Sequence, residues 1–112
     1  MIHVIALPEF AKNLKRLSKK YVSLKQEFGQ FLDLTESVGP QGVDLGNGLF
    51  KARIAVKSKG KGKSGGLRII SYHEIILAKQ DDTVYLVAIY DKSELSTVEI
   101  KQMNTILKNN GL

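Results

Sequence analysis

The spacing of apolar residues changes near residue 50 of this chain, and that change constrains the fold more than any other feature. In the first half, apolar residues recur at intervals of three and four, as on one face of a helix. The clearest set is Phe10, Leu14, Leu17 and Tyr21. From residue 50 the interval is two, as in a strand with one buried face. That set is Phe50, Ala52, Ile54 and Val56.

Residues 8–38 are predicted to form a helical hairpin. Pro8 suits the first turn of a helix, where a missing N–H group has no cost. Ser23 and Gln26 form an S-x-x-Q capping box that predicts a second helix from about Leu24. We expect this helix to bury Phe28, Phe31 and Leu32 and to end at Val38-Gly39-Pro40.

Strands are predicted before and after this hairpin. His3–Ala6 is a short β-branched run, and residues 50–57, 67–73 and 84–90 also have strand character. Residues 84–90 are the most apolar and are expected to be central. The connections predicted between them are a long Gly-rich loop at 39–48, a flexible turn at 58–66 and a turn at Asp81-Asp82.

A last helix is predicted to run to about Asn109. Ser96 and Glu99 form a second capping box, and Gly111 follows the helix end. Its inward side is predicted to carry Ile100, Met103, Ile106 and Leu107. The order is therefore β-α-α-β-β-β-α, an α+β fold in which helices cover a mostly antiparallel sheet of about four strands. We expect residues 1–112 to form a single domain, because the chain is short.

The positive charge is concentrated in one stretch. The net charge is +6, and residues 51–68 alone hold seven Lys and Arg residues and no acidic residue. Such a patch on a nearly neutral scaffold is typical of a protein that binds a polyanion. A solvated, mobile loop is the alternative interpretation. The predicted phosphate-backbone contacts within the loop are Lys57, Lys59, Lys61 and Lys63.

The Gly-rich motif at residues 60–65 matches G-x-G-x-x-G, but we reject a dinucleotide site because a strand, not a helix, follows it. Lys51 and Arg53 are two apart and share a strand face, and Arg68 follows the basic turn. Three converging cations repel one another unless a ligand such as a phosphate neutralises them. The alternative for Lys51 and Arg53 is the solvated face of a half-buried strand.

Other chemistries have little support in the sequence. The chain has no Cys, which excludes thiol catalysis and cysteine metal centres. His3 and His73 lack a cluster of carboxylates, so we expect ordinary sheet residues, no metal site and no cofactor. Tyr90 is interpreted as a core aromatic at a strand end, with base stacking as the alternative. No apolar run is long enough for a bilayer and no signal peptide is visible, so we expect a cytoplasmic protein.

Three segments together resemble the RelE/HigB toxin superfamily. They are Phe50-Lys51-Ala52-Arg53-Ile54, Gly66-Leu67-Arg68-Ile69-Ile70-Ser71-Tyr72 and Ala88-Ile89-Tyr90-Asp91-Lys92-Ser93-Glu94. The predicted element order is also similar over nearly the whole chain, and residues 57–72 look most like the HigB-type branch. Members are toxins of toxin–antitoxin pairs, and most are metal-independent endoribonucleases that cut mRNA in the ribosomal A site.

The resemblance implies roles for particular residues. Arg68 would stabilise the phosphate, Lys51 or Arg53 would assist deprotonation or neutralise charge, and Lys92 would occupy a further functional position. Ser93 stands where RelE has another Arg, and residues 96–112 contain no Tyr or His to act as a late-chain base. Tyr90 is the candidate for the stacking role.

The same resemblance implies partners and leaves other functions open. The partners would be mRNA in the A site, ribosomal RNA and a cognate antitoxin of helix-turn-helix, HigA-like type. One alternative is a toxin that inhibits gyrase by binding, as a related subgroup does. Another is a plain RNA-binding module, whose affinity would fall steeply with salt.

Overall fold

The computed structural model describes residues 2–59, 66–79, 81–92 and 100–112. Three helices and five strands follow one another in the order β-α-α-β-β-β-β-α. The helices are α1 (Pro8–Lys20), α2 (Leu24–Val38) and α3 (Ile100–Asn109). The strands are β1 (His3–Ala6), β2 (Val43–Gly46), β3 (Leu49–Ile54), β4 (Leu67–Ile76) and β5 (Asp81–Asp91). None of the described helices is long and apolar enough to cross a membrane.

The strands form one sheet in the order β1-β5-β4-β3-β2. β1 is parallel to β5, and the other neighbours are antiparallel. The predicted α+β class, helical hairpin and C-terminal helix are confirmed. The middle strand is β4, whereas β5, which was expected to be central, is the interior strand beside it.

Each face of the sheet has its own apolar core. On one face, α1 and α2 bury Phe10, Leu17 and Leu24 against β3, β4 and β5. On the other face, α3 buries Met103 and Leu107 against the same strands. Alternation along each strand therefore divides its side chains between the helical-hairpin face and the α3 face. This division decides which functional side chains can meet.

The predicted loop at 39–48 contains an additional strand, β2. Val43 pairs with Lys51 and Asp44 pairs with Phe50. Glycines at positive φ flank this short strand, and Gly42 lies so close to β3 that a Cβ atom there would collide with the Lys51 carbonyl. Gly42, one of the glycines that suggested a loop, is thus the residue that lets an edge strand approach β3.

One predicted turn and one predicted cap are wrong in detail. Asp81 and Asp82 belong to β5, and the 3₁₀ segment Leu77–Lys79 forms the turn. The β4–β5 hairpin is longer than the apolar stretch at 84–90 indicates, so the turn lies earlier in the chain. The Ser23 hydroxyl donates to Glu27 Oε1 at 2.9 Å, one helical turn on, instead of pairing with Gln26. The second predicted capping box, at residues 96–99, lies outside the described residues.

The predicted flexible turn at 58–66 is ordered at its start. Lys57–Lys59 forms a 3₁₀ turn. The Ser58 N–H donates to Ser23 Oγ at 3.0 Å, and the Lys57 N–H donates to Glu27 Oε2 at 2.8 Å. These bonds hold the turn against the corner between α1 and α2. Residues 60–65 of the predicted turn lie outside the described residues.

Candidate phosphate-binding site

Three strands bring Arg53, Arg68 and Tyr90 into one row on the α3 face. Arg53 of β3 is directly opposite Arg68 of β4, and Arg68 is directly opposite Tyr90 of β5. Side chains opposite one another in an antiparallel sheet have Cβ atoms about 5 Å apart. The row therefore joins Arg53 and Arg68, which lie on either side of the predicted turn at 58–66, to Tyr90 at the end of β5.

The two arginines of this row differ greatly in exposure. Arg68 is only 2% exposed, whereas Arg53 is exposed to solvent. Like charges directly opposite each other in a sheet are unfavourable. An anion between the guanidinium groups would relieve that repulsion, and guanidinium groups bind phosphate through two parallel N–H bonds. The chemistry that this row favours is phosphate binding.

Tyr90 is enclosed beside Arg68 in the α3-face core. Burial raises the pKa of its phenol, and the positive charge of Arg68 opposes this only in part. The hydroxyl therefore stays protonated near neutral pH and is able to donate a hydrogen bond. A general base must be deprotonated at the working pH, so this environment does not favour Tyr90 as a base.

Lys51 lies on the same strand face as Arg53 and is half-buried. It is opposite Val43 on one side and Ile70 on the other. Lys51 and Arg53 line a groove of about 790 Å³ at the outer edge of β3. The apolar part of its lining comes from Phe31, Leu34, Val43, Leu45 and Ala52. The groove thus places two cations beside a largely apolar wall.

Lys92 follows β5 and is exposed. Because β5 ends where β4 begins, Lys92 lies at the end of the sheet that carries Arg68. Lys57 is also exposed. Lys61 and Lys63 lie outside the described residues. The roles predicted for these four lysines stay predictions.

Lys59 is engaged on the other side of the sheet. Its Nζ is 3.0 Å from Asp91 Oδ1, and its side chain is 13% exposed. Asp91 is opposite Leu67, whose side chain belongs to the helical-hairpin core. The structure therefore separates Lys59 from the row of Arg53, Arg68 and Tyr90, although all of them were predicted to serve one RNA.

The histidines and the acidic pair of β5 lie away from this row. His73 Nε2 is 3.5 Å from Asp82 Oδ1 near the opposite end of the β4–β5 hairpin. His3 is in β1, at the edge of the sheet, and is opposite Thr83. Within residues 2–59, 66–79, 81–92 and 100–112, no group of His and acidic residues is arranged to hold a metal ion.

Sequence reasoning missed two groups near the row. Asp91 and Tyr21 are 70 residues apart, and the Tyr21 hydroxyl donates to Asp91 Oδ2 at 2.6 Å. Arg16 of α1 and Gln102 of α3 line a cavity of about 360 Å³ beside Tyr90. The sequence gives only a weak indication of Arg16 as a residue near the site, since it is a cation beside the apolar face of a helix. Asp91 has none, since its partner depends on the tertiary fold.

Comparison with known proteins matches this chain to a family and to a known fold. The family model of the RelE toxin, from the RelE/RelB toxin–antitoxin system, matches residues 10–110. A solved structure of an E. coli RelE toxin mutant in the free state superposes with a TM-score of 0.58 over 99% of this chain and 98% of that one. The sequence identity to that toxin is 10%, so the structural match concerns the fold alone.

Proposed function

This chain belongs to the RelE toxin family, and from that premise we propose that it is a ribosome-dependent, metal-independent mRNA endonuclease that inhibits translation. The observation that carries the proposal is the row of Arg53, Arg68 and Tyr90 across three adjacent strands. Its working place would be the cytoplasm, where ribosomes are, and residues 1–112 would act as one toxin domain. The assignment to the HigB-type branch stays a prediction.

The proposed reaction is attack by an RNA 2′-oxygen on the adjacent phosphorus. The 2′-oxygen loses its proton and forms a bond to phosphorus, and the bond to the 5′-oxygen breaks. The leaving oxygen takes up a proton, so the products are a cyclic phosphate and a 5′-hydroxyl. Negative charge grows on the phosphoryl oxygens in the transition state, and fixed cations aimed at that charge lower the barrier.

Each residue of the site has a proposed part in this reaction. Arg68 binds the phosphoryl oxygens, and Arg53 adds positive charge from the solvent side. Lys51 assists deprotonation of the 2′-hydroxyl or neutralises charge, and Lys92 acts at the end of the sheet near the leaving group. Tyr90 stacks or donates a hydrogen bond through its neutral hydroxyl. Because Arg68 is enclosed, its contact with a phosphate requires the covering side chains to move.

We propose mRNA in the ribosomal A site and ribosomal RNA as the nucleic-acid partners, contacted through Lys57, Lys61 and Lys63. Lys59 was also predicted as a contact, but its ion pair with Asp91 does not support that part. The proposed protein partner is a helix-turn-helix antitoxin of HigA-like type. The groove beside Lys51 and Arg53 supports a partner segment that carries acidic and apolar side chains.

A cleavage assay on translating ribosomes tests the proposal. Wild-type protein should cut mRNA, and Arg68→Ala should cut it about 100-fold more slowly, since removal of one transition-state donor has an effect of this size. Arg53→Ala is the companion variant, because an exposed side chain can be removed without disturbing the core. Lys15→Ala removes an exposed cation of α1 and should cleave like wild type.

Two results would contradict this proposal. One is wild-type protein that leaves mRNA intact on the ribosome, and the other is full activity in both arginine variants. Intact mRNA with gyrase-dependent DNA breaks during expression would favour the gyrase alternative. Salt-sensitive RNA binding without growth arrest would favour a plain RNA-binding module.

A further inference from the structure

A buried carboxylate lies next to the candidate site but on the opposite face of the sheet. Asp91 is 0% exposed. Its Oδ2 accepts a hydrogen bond from the Tyr21 hydroxyl at 2.6 Å, and its Oδ1 is 3.0 Å from Lys59 Nζ. A buried charge is tolerated in a protein only when it is paired and hydrogen-bonded, and Asp91 satisfies both conditions.

Asp91 contacts residues on both sides of the Lys/Gly segment 60–65. Lys59 is the residue immediately before that segment, and its side chain is bound to the Asp91 carboxylate. Leu67 begins β4 just after the segment, and it is directly opposite Asp91 in the sheet. One residue therefore ties the two ends together, through its side chain on one side and its strand pairing on the other.

The end that contains Lys59 has a second attachment. The Ser58 N–H and hydroxyl bond to Ser23 Oγ at 3.0 and 2.8 Å, and the Lys57 N–H donates to Glu27 Oε2 at 2.8 Å. The Tyr21 ring also has Lys59 Nζ 5.9 Å from its centroid, which is within cation–π range. The 3₁₀ turn is thus fixed to the α1–α2 corner along its whole length.

We propose that Asp91, Tyr21 and Lys59 form a positioning cluster that fixes the described residues on both sides of segment 60–65 and holds Arg68 opposite Arg53. The link to the site is short, because Tyr90 precedes Asp91 in β5 and Arg68 follows Leu67 in β4. These three residues act through others and do not touch the RNA. The inference rests on the proposed function, since the site being positioned is the proposed one.

The cluster also gives Lys59 a different role from the RNA contact that the sequence predicts. Its positive charge neutralises Asp91 instead of an RNA phosphate, although it belongs to the most basic stretch of the sequence. A phosphate contact and an internal ion pair predict different behaviour in variants. Removal of a phosphate contact weakens binding and reduces its salt dependence. Removal of a positioning contact lowers the rate of the bound complex.

Steady-state kinetics of mRNA cleavage on ribosomes separates the two roles. For positioning, Asp91→Asn and Lys59→Met should each lower kcat about tenfold and leave the half-saturating ribosome concentration within about twofold of wild type. The double variant should be close to either single variant, because both changes break the same contact. Asp33→Asn makes the matched change at an exposed carboxylate of α2 and should leave both parameters unchanged.

The opposite pattern would overturn the inference. If Lys59 binds phosphate, Lys59→Met raises the half-saturating concentration, and Asp91→Asn lowers it by releasing Lys59. Unchanged kcat in both variants would equally reject the cluster. Tyr21→Phe removes the hydroxyl that donates to Asp91 and keeps the ring, so it should give a smaller loss of kcat. It serves as the variant that keeps the fold if Asp91→Asn does not.

Amide hydrogen exchange tests the cluster even if the wild-type protein does not cleave mRNA. Asp91→Asn should speed exchange at Lys57, Ser58 and Arg68 by about tenfold or more, while Asp33→Asn should not. Unchanged exchange at these amides would reject the cluster whatever the enzyme does. Faster exchange with no wild-type cleavage would keep the cluster and reject the proposed function.

Discussion

Tyr90 and Asp91 are adjacent in the chain, but their side chains lie on opposite faces of the sheet. Tyr90 packs in the α3-face core beside Arg68, and Asp91 faces Tyr21 and Lys59 of the other layer. Alternation along β5 imposes this division, because successive residues of a strand point to opposite faces. At the scale of single residues, one strand end therefore contributes to both the candidate site and the proposed positioning cluster.

The raised pKa of Tyr90 predicts a loss of stability at high pH. Below about pH 10, the ordinary value for tyrosine, the phenol is neutral in both the folded and the unfolded state. Above it the unfolded chain ionises first, so the free energy of unfolding falls until the pH passes the higher pKa of folded Tyr90. Urea denaturation should show a smaller loss between neutral and alkaline pH for Tyr90→Phe than for wild type.

The pKa of Tyr85 is also raised, through burial and the nearby Glu74 carboxylate. Tyr90→Phe should therefore still lose some stability at alkaline pH. The test is the difference between wild type and Tyr90→Phe in how far the free energy of unfolding falls. Equal losses in wild type and Tyr90→Phe would show that burial of the Tyr90 phenol does not set the stability at high pH.

At the scale of elements, the start of α2 and the 3₁₀ turn Lys57–Lys59 are built together. Glu27 accepts from the Ser23 hydroxyl with one oxygen and from the Lys57 N–H with the other. One carboxylate thus serves the first turn of a helix and a segment far along the chain. The sequence indicated only the helix start, since Lys57 is 30 residues away.

This arrangement predicts that Glu27, and not Gln26, stabilises the corner. Glu27→Ala should lower the free energy of unfolding by about 1 kcal/mol, because two hydrogen bonds are lost. Gln26→Ala should change it by less than about 0.5 kcal/mol, as for an ordinary exposed position. Parallel urea titrations of the two variants make the comparison. A larger loss of stability in Gln26→Ala would contradict this prediction and favour the Ser23/Gln26 capping box that the sequence predicts.

Two glycines should respond oppositely to alanine. Gly29 is inside α2 with open space around it, so Gly29→Ala should raise the free energy of unfolding by about 0.5–1 kcal/mol. Gly42 has φ of +95°, and a Cβ atom there would meet the Lys51 carbonyl. Gly42→Ala should therefore lower the free energy of unfolding by about 1 kcal/mol or more.

Thermal or urea denaturation measures both glycine variants. Gly46→Ala is the matched control for Gly42→Ala, because its φ of +89° carries similar backbone strain but no neighbour lies within 4 Å. Equal losses at positions 42 and 46 would mean that the close approach of β2 to Lys51 contributes nothing beyond backbone strain.

At the scale of the whole molecule, the basic residues of 51–68 that the structure describes lie on both faces and at one end of the sheet. Arg53 and Arg68 lie in one row on the α3 face, Lys57 lies beside the α1–α2 corner, and Lys59 is paired within the protein. These four described cations therefore do not form one continuous surface, although the sequence places them in one basic stretch. The described cations that already reach solvent, such as Arg53 and Lys57, can neutralise RNA phosphates without rearrangement, whereas Arg68 requires its covering side chains to move.

The salt dependence of RNA binding should reflect this distribution. Lys57→Gln should reduce the slope of log affinity against log salt by about 0.7, the value for one phosphate contact to a single strand. Lys12→Gln, an exposed cation of α1 outside the basic segment, should leave the slope unchanged. Fluorescence titrations of a short RNA at several salt concentrations measure both. Equal slopes for wild type and Lys57→Gln would exclude Lys57 from the RNA surface.

The sequence by itself determined the type of most elements and the place of the charge. Helical spacing in α1 and two-residue spacing in β3 indicate which side of each element is buried. This signal is readable from the sequence because it depends only on residues near one another in the chain. The resemblance over residues 50–94 also identified the family that the later comparison confirmed. The candidate row was predictable in part, since Arg53 and Arg68 stand on either side of one turn.

Only the tertiary structure decided which side chains meet across the sheet. The pairing of β2 with β3, the row that ends at Tyr90 and the ion pair of Lys59 with Asp91 depend on register and on helix docking. Local patterns do not encode these contacts, because a one-residue shift in register would move every side chain of a strand to the other face. The basic stretch that dominates the sequence was divided between site and support by this long-range packing.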